Sequence, residues 1–209
     1  MVAVNPVKLI IDNYPEDLTE EVTVANNPEN PELGTRTVSF GRELYIDRDD
    51  FMVEPPKKYF RLFPGNEVRL MGAYFVTCTG YETDENGEVS VIHATYDPAT
   101  KGGECAERKV KGTIHWVNAK TAVAVTTRLY ENLIDEEKGV YNEDGSINLN
   151  PNSITVLTSY AEPSVSGAKA FDSFQFLRNG YFCVDCKDTT KDRLVFNRIC
   201  SLKSGYKPQ

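Results

Sequence analysis

The sequence predicts an all-β fold. Ten segments alternate between apolar and polar residues with the two-residue period of a half-buried strand, and they are rich in valine, isoleucine, threonine and aromatic residues. Turn signals separate the segments, and no segment keeps a helical period long enough to anchor an α/β sheet. This pattern favours barrels or a sandwich, and the 209 residues suit two barrels of about 100 residues each.

The predicted strands follow one another along the whole chain. They are VKLIID (7–12), EEVTVAN (20–26), RTVSFGRELYID (36–47), EVRLMGAYFVTCTGY (67–81), EVSVIHATY (88–96), GTIHWVN (112–118), TAVAVTTRLY (121–130), SITVLTSY (153–160), FQFLRNGYFCVD (174–185) and RLVFNRICSL (193–202). The Asn-Gly pairs in Asp84–Gly87 and Arg178–Gly180 predict hairpins between their flanking strands. Pro64-Gly65-Asn66 predicts a third hairpin, between KKYFRLF and EVRLMGAY.

We expect two domains. Residues 1–110 form a first β-barrel half and residues 111–209 a second one. The glycine-rich, charged segment KGGECAERKVKG (101–112) is the predicted hinge between them.

Composition limits the classes of partner. The net charge is −8, with 31 acidic and 23 basic residues, which argues against non-specific duplex binding, so no DNA partner is expected. No apolar run approaches the roughly 20 residues that span a bilayer, and the N-terminus does not resemble a signal peptide. The odd number of cysteines, five, predicts free thiols in a reducing compartment, and hence a cytoplasmic protein.

The usual catalytic and metal-binding motifs are missing from the sequence. Cys183 and Cys186 form a single CVDC without a second pair, so no metal site is predicted. His93 and His115 lie in alternating strand patterns without a GxSxG, HExxH or paired-carboxylate partner, and no P-loop or GxGxxG occurs. We therefore predict no catalytic residue, and we place Trp116 in the core.

One stretch departs from the acidic character of the chain. KKYFRLFPGNEVRL (57–70) carries four basic residues and one acidic residue, with three aromatic residues between them. In a hairpin, alternation would place Lys58, Phe60 and Leu62 on one face and Tyr59 and Arg61 on the other. Guanidinium groups beside aromatic rings suit unpaired bases, but a basic outer face that keeps a barrel strand soluble fits the pattern as well.

Several motifs together resemble one known family. IDRDDF (46–51), EVRL (67–70), KVKGTIHWV (109–117) and FQFLRNGYF (174–182) are similar to the C-terminal anticodon-binding region of glutaminyl-tRNA synthetases, and the resemblance covers essentially the whole chain. It implies two tandem six-stranded antiparallel β-barrels with exchanged N-terminal strands. Family members use these barrels to splay out and read the three anticodon bases of tRNA(Gln).

The resemblance also implies roles for individual residues. Arg61 matches an arginine that contacts the third anticodon base, and Arg69 matches the first arginine of an RLR motif that serves the first base. Gln175 matches the glutamine of FQF that reads the central uracil. Arg178 matches an arginine near the anticodon backbone and bases, and Leu177 before it occupies a position that is often glutamate.

Other basic positions are expected to meet phosphates. Lys57 and Lys58 would steer the phosphates of the anticodon loop, and Lys203 takes the place of an arginine near the C-terminus. At two positions near the expected base contacts, the sequence differs from the family pattern. Met71 replaces the second arginine of RLR, and Phe60 stands where a lysine can precede Arg61.

The catalytic half of such an enzyme is not visible in the sequence. There is no HIGH-like or KMSKS-like motif, so the chain is expected to be an inactive fragment that needs a separate catalytic domain. ATP and Mg²⁺ are expected for the full-length enzyme and no cofactor for this chain. Two alternatives remain: the related region of an archaeal- or eukaryal-type glutamyl-tRNA synthetase, and a β-module that binds proteins or carbohydrates but no RNA.

Overall fold

The structure is a computed structural model that describes residues 1–27, 29–102, 108–134 and 138–202. The described residues contain no α-helix, which confirms the all-β prediction. The predicted hinge (101–112) lies partly outside them. The strands are β1 (Val2–Ala3), β2 (Pro6–Ile11), β3 (Glu20–Ala25), β4 (Thr35–Phe40), β5 (Glu43–Asp47), β6 (Glu67–Leu70), β7 (Phe75–Thr83), β8 (Val89–Asp97), β9 (Thr113–Ile114), β10 (Val117–Asn118), β11 (Val123–Tyr130), β12 (Ile154–Ala161), β13 (Ser173–Phe176), β14 (Gly180–Val184) and β15 (Val195–Cys200). Short 3-10 turns cover Pro31–Leu33, Arg48–Asp50, Pro98–Thr100 and Pro163–Gly167.

The chain divides into two compact units. Unit 1 comprises Met1–Val123 and Tyr160–Val165, and unit 2 comprises Ala124–Ser159 and Ser166–Gln209. The predicted boundary at residue 110 separates two barrel halves, which are not the same as these compact units. That boundary stays a prediction.

Unit 1 contains a seven-stranded sheet in the order β10-β5-β2-β8-β7-β6-β9. The predicted strand GTIHWVN is split here, because β9 and β10 pair at opposite edges of the sheet with His115 and Trp116 between them. One short segment therefore touches both edges, and the sheet curls as a half barrel. The split explains why the sheet has seven strands instead of the six that were expected. A separate hairpin is formed by β3 and β4.

Most of the strand pairs are antiparallel, as expected, but the sheets are not antiparallel throughout. Among the described strands, the pairs β2–β8, β6–β9 and β11–β15 are parallel. A hairpin fixes an antiparallel direction only for strands that follow each other in sequence. These three pairs join strands that are far apart in the chain, so sheet closure sets their direction.

The other sheet has six strands in the order β1-β12-β11-β15-β14-β13. Strand β1 pairs antiparallel with Tyr160 and Ala161, the last residues of β12, which belong to unit 1. The next strand, β2, pairs instead with β5 and β8. The two N-terminal strands thus enter different sheets, in agreement with the exchange that the resemblance implies.

Two of the three predicted hairpins are confirmed. Asp84–Gly87 joins β7 to β8, and Leu177–Asn179 joins β13 to β14. The third is wrong, because Lys57–Phe63 forms no strand and only Leu62 makes an isolated parallel bridge, to Phe51.

Local chemistry explains the failed hairpin. Pro55 and Pro56 precede the segment and cannot donate to a ladder, and Lys58 has a positive φ of 79°, which an extended strand does not allow. Leu62 is fully buried whereas Phe60 is 49% exposed, although simple alternation placed them on one face. The segment is therefore anchored by one apolar side chain and presents its aromatic residues irregularly.

The core of unit 1 confirms the prediction for Trp116. Its side chain is fully buried and packs edge-to-face on Phe40, with ring centroids 5.0 Å apart. The indole Nε1 donates to the carbonyl of Met71 at 3.0 Å, which satisfies the polar atom.

Four cysteines, Cys78, Cys183, Cys186 and Cys200, have free thiols, and Cys105 lies outside the described residues. In the part of the chain that the structure describes, no helix has the length and apolar character needed to cross a membrane.

Candidate nucleic-acid interface

A surface pocket of about 450 Å³ opens on the basic-aromatic stretch of unit 1. Two segments that are distant in sequence meet there, because β6 and β9 pair in parallel and bring residues 109–112 against residues 59–67. We call this the aromatic pocket. Its aromatic and basic lining residues are Tyr59, Phe60, Phe63, Lys109 and Lys111.

Close backbone packing holds the aromatic pocket together. A Cβ on Gly112 would lie 1.8 Å from the carbonyl oxygen of Phe60, so only glycine fits there. The Gly112 carbonyl also accepts from the backbone N–H of Arg69 at 2.8 Å. The ammonium of Lys111 lies 5.1 Å from the ring centroid of Phe60, within cation–π range. The pocket therefore combines an exposed aromatic ring with a positive charge close to it.

Arg69 lies on β6 next to this pocket. Its guanidinium carbon is 5.3 Å from the centroid of the Phe75 ring, and Nε is buried without a hydrogen-bond partner among the described residues. Arg108 lies equally close to the same ring, but it donates to Glu67 at 2.8 and 3.0 Å and to Asp97 at 2.6 Å. The hydrogen bonds to Glu67, and then the one to Asp97, raise the pKa of Arg108 above its usual range. The charge of Arg108 is thus already matched by two carboxylates, whereas no side-chain hydrogen bond of Arg69 occurs among the described residues.

Arg61 is fixed on the other side of the same stretch. Nη1 donates to the carbonyl of Asp49 at 2.9 Å and lies 3.2 Å from Oδ1 of Asp50. The Arg61 carbonyl accepts from the side-chain amide of Asn66 at 2.7 Å. The Arg61 side chain is still 43% exposed, so a ligand can reach it.

The structure shows the position of two of the three predicted lysines. Lys57 and Lys58 are exposed in the turn that precedes Tyr59. Lys203 lies outside the described residues.

Unit 2 carries the other two predicted site residues on one tight hairpin. Gln175 is exposed on the edge strand β13, directly opposite Tyr181, which is 44% exposed. Arg178 is half-buried in the turn, with a positive φ of 68°. Beneath them Phe176 stacks on Phe182 with ring centroids 4.2 Å apart, so a buried aromatic pair supports the hairpin.

Sequence reasoning missed part of the site. The run RKVK (108–111) is basic, but nothing in the neighbouring sequence shows that Lys109 and Lys111 face the aromatic residues of another segment. Tyr181 was likewise not singled out, although its alternation with buried Phe182 was a detectable signal.

A buried polar cluster was also not predicted. Asp47, Asp50 and His115 have possible metal-ligating atoms within 4.8 Å of one another. Protein groups already engage these atoms, because Asp47 accepts from the backbone N–H of Val4 at 2.6 Å and lies 3.0 Å from Nε2 of His115. Asp50 pairs with Arg61. The cluster is thus a charge network that a metal ion would have to disrupt.

Comparison with known proteins gives a consistent set of similarities. Two family models with the same description, tRNA synthetases class I (E and Q), anti-codon binding domain, match residues 1–97 and 113–185. The chain is 53% identical over 212 residues to a glutamine–tRNA ligase of Clostridium perfringens, covering 99% of this chain and 38% of that protein. The ligase of Clostridioides difficile is 53% identical over 214 residues, covering 100% and 38%. The ligase of Vibrio vulnificus is 45% identical over 207 residues, covering 99% and 37%. The chain thus spans less than two fifths of the length of these relatives.

Proposed function

We propose that this chain is the anticodon-reading part of a glutamine–tRNA ligase. The premise is that the chain belongs to the family of anticodon-binding domains of the class I tRNA synthetases (E and Q). The relatives that match across the chain are named glutamine–tRNA ligases, which supports glutamine over glutamate. The proposed partner is the anticodon loop of tRNA(Gln).

The aromatic pocket is the observation that carries this proposal. Proteins recognise single-stranded RNA by stacking splayed-out bases on aromatic rings and by hydrogen bonding to base edges. The exposed ring of Phe60 with the Lys111 ammonium above it supplies a stacking surface and a positive charge in one place.

Arg61, Arg69 and Gln175 are proposed to read base edges. Glutamine tRNAs carry guanine as the third anticodon base, and a guanidinium donates two parallel hydrogen bonds to O6 and N7 of guanine, which suits Arg61. Arg69 would serve the first base through the outer nitrogens of its guanidinium, because Nε is buried. The amide of Gln175 both donates and accepts, as the edge of the central uracil requires, and Tyr181 beside it offers a ring for stacking.

The remaining basic residues are proposed to meet phosphates. Lys57 and Lys58 are exposed and carry flexible point charges, which suit phosphates better than base edges. Arg178 and Lys203 would extend this contact along the anticodon backbone.

The chemistry of the ligase is proposed to lie outside this chain. ATP, Mg²⁺ and the groups that activate glutamine would belong to a catalytic domain, which is the second proposed partner, and no residue of this chain is proposed to be catalytic. The chain would contribute to translation in the cytoplasm by selecting the tRNA.

The test is a pair of substitutions in the full-length ligase. Arg61→Ala and Gln175→Ala should each weaken the use of cognate tRNA by about 1–3 kcal/mol, the usual cost of a lost bidentate base contact. The measurement is kcat/KM for aminoacylation with cognate transcripts and with transcripts altered at one anticodon base. Arg42→Ala is the matched control, since Arg42 pairs with Glu16 in unit 1 away from the aromatic pocket. Unchanged kinetics together with unchanged base preference would refute the residue assignments.

Two further assays separate the alternative functions. Charging with glutamine and with glutamate distinguishes the glutaminyl from the glutamyl enzyme. Filter binding of tRNA(Gln) at two salt concentrations tests RNA binding itself, which must weaken as salt rises because phosphate contacts release counterions. No binding, or binding that salt does not affect, would favour a module without an RNA partner.

A further inference from the structure

Asp50 is a buried carboxylate that contacts a proposed base-reading side chain. Only 2% of Asp50 is exposed, and its Oδ1 lies 3.2 Å from Nη1 of Arg61. The backbone is tied at the same place, because the N–H of Leu62 donates to the Asp50 carbonyl at 3.0 Å. The Asp49 carbonyl accepts from the same Nη1 and, at 3.2 Å, from the hydroxyl of Tyr59. The 3-10 turn Arg48–Asp50 thus forms a rigid support under residues 59–62.

A second layer of polar contacts fixes this support. Nε2 of His115 lies 2.8 Å from the carbonyl of Val2 and 3.0 Å from Oδ2 of Asp47. A carbonyl can only accept, so Nε2 carries the proton. The other oxygen of Asp47 accepts from the backbone N–H groups of Val4 and Asn5 at 2.6 and 3.1 Å. The carboxylates are therefore held from several directions within unit 1.

The contacts of Arg61 leave one edge of the guanidinium unused. Among the described residues, the side-chain hydrogen bond of Arg61 and its closest approach to Asp50 both involve Nη1. Nε and Nη2 remain, and they form the planar pair of donors that matches O6 and N7 of guanine. A free arginine side chain carries about 2 kcal/mol of rotamer entropy, which a restrained side chain does not lose again on binding.

We propose that Asp50 is a positioning residue that presets Arg61, so that Nε and Nη2 meet the third anticodon base. This proposal rests on the proposed function. Asp50 does not touch the RNA itself. It directs the fork of Arg61 and removes part of its free charge, so the contact discriminates between bases instead of attracting any anion.

The test compares two neighbouring substitutions of equal charge in the full chain. Asp50→Asn removes the buried charge, whereas Asp49→Asn changes an exposed side chain whose residue supports Arg61 only through its carbonyl. The probes are an RNA hairpin with the anticodon loop of tRNA(Gln) and the same hairpin with cytosine in place of the third-position guanine. The measurement is the Kd of each chain for each hairpin.

The expected result is a loss of discrimination. Asp50→Asn should lower the guanine-over-cytosine preference about 3- to 10-fold, as for directly coupled residues, and Asp49→Asn should leave it unchanged. In an Arg61→Ala background Asp50→Asn should have no further effect on the preference. A purely structural role would lower the melting temperature without changing the ratio of the two Kd values, and that outcome would overturn the proposal.

A second measurement needs no substitution at Asp50 and decides the matter if Asp50→Asn does not fold. The NMR order parameter of the Arg61 Nε–H bond in the free wild-type chain should approach about 0.85, the value of rigid backbone, and a value below about 0.6 would refute positioning. Failure of the proposed function looks different, because the wild-type chain would then bind both hairpins equally or not at all.

Discussion

In unit 1 Arg61 lies on an irregular segment and Arg69 on strand β6, and both contact a buried side chain. In unit 2 Gln175 lies on a regular hairpin, and its side chain has no hydrogen-bond or ionic partner among the described residues. Arg61 rests on the carboxylate of Asp50, and Arg69 on the ring of Phe75. Gln175 is simply exposed on an edge strand.

The difference follows from the charge of the groups. A long cationic side chain that must contact one base edge needs a partner to restrict it, and a buried partner charge in turn needs hydrogen bonds of its own. A neutral amide has no such requirement, so a strand and a supporting aromatic core are sufficient. Arg61 in unit 1 is accordingly supported by a buried carboxylate, whereas Gln175 in unit 2 lies above a buried aromatic pair.

The largest expected effect comes from one glycine in each unit. Gly112→Ala would bring a Cβ to 1.8 Å from the Phe60 carbonyl, and Gly180→Ala would bring one to 2.4 Å from the Cys200 carbonyl. Since backbone has to move in both cases, each should lower the free energy of unfolding by about 3 kcal/mol or more. Denaturant unfolding measures this loss.

Gly80→Ala is the matched control, because nothing lies within 4 Å of the added Cβ. It should change the free energy of unfolding by no more than about 0.5 kcal/mol. An equally small effect of Gly112→Ala would contradict the close approach of Gly112 to the Phe60 carbonyl, which shapes the aromatic pocket.

An intermediate effect should separate the units by their salt dependence. Replacing Lys57 and Lys58 by alanine should reduce the slope of log affinity for the tRNA(Gln) hairpin against log salt by about 0.7 per lost phosphate contact on a single strand. Gln175→Ala should weaken binding without changing the slope, because an amide releases no counterion. Titration at several salt concentrations measures both. Equal slopes for wild type and the lysine variant would exclude these lysines as phosphate contacts.

The smallest expected effect is a pH dependence of unit 1. Hydrogen bonding to Asp12 at 2.9 Å, reinforced by Glu82 at 3.1 Å, raises the pKa of His93 above its ordinary 6.5 despite the opposing effect of burial. Because the folded state favours the protonated form, the gain in stability is complete below pH 6.5 and is lost as pH rises through the folded pKa. The pair is partly exposed, so we expect less than about 1 kcal/mol between wild type and His93→Gln.

In unit 2 the stability is expected to change with pH in the opposite direction. Backbone N–H donation from Asp188, with the Asn197 amide second, lowers the pKa of Asp185 to about 2 from 3.8. Its contribution is present above pH 3.8 and is lost as pH falls toward 2. Unfolding curves of wild type, His93→Gln and Asp185→Asn across acid and neutral pH should therefore diverge in opposite directions. A His93→Gln difference that grows above neutral pH would contradict the assignment for unit 1.

Short-range patterns in the sequence determined the strands, the Asn-Gly hairpins and the burial of Trp116. Each of these depends on neighbours within a few residues, since alternation sets the buried face and a glycine with positive φ sets the turn. The same reasoning failed at Lys57–Phe63, where prolines and the burial of Leu62 outweighed the alternation. The base-reading roles of Arg61 and Gln175 came from the resemblance and remain predictions.

Only the tertiary structure decided which distant residues meet. The parallel pairing of β6 with β9 brings Lys111 over Phe60. The 3-10 turn Arg48–Asp50 places the carboxylate of Asp50 next to the guanidinium of Arg61. Hydrophobic alternation specifies a face of a strand but not its partner across the sheet, and a buried carboxylate looks like any acidic residue until its cation is placed. The sequence by itself therefore determined an all-β chain with a basic, aromatic stretch, and folding decided that this stretch becomes a supported pocket.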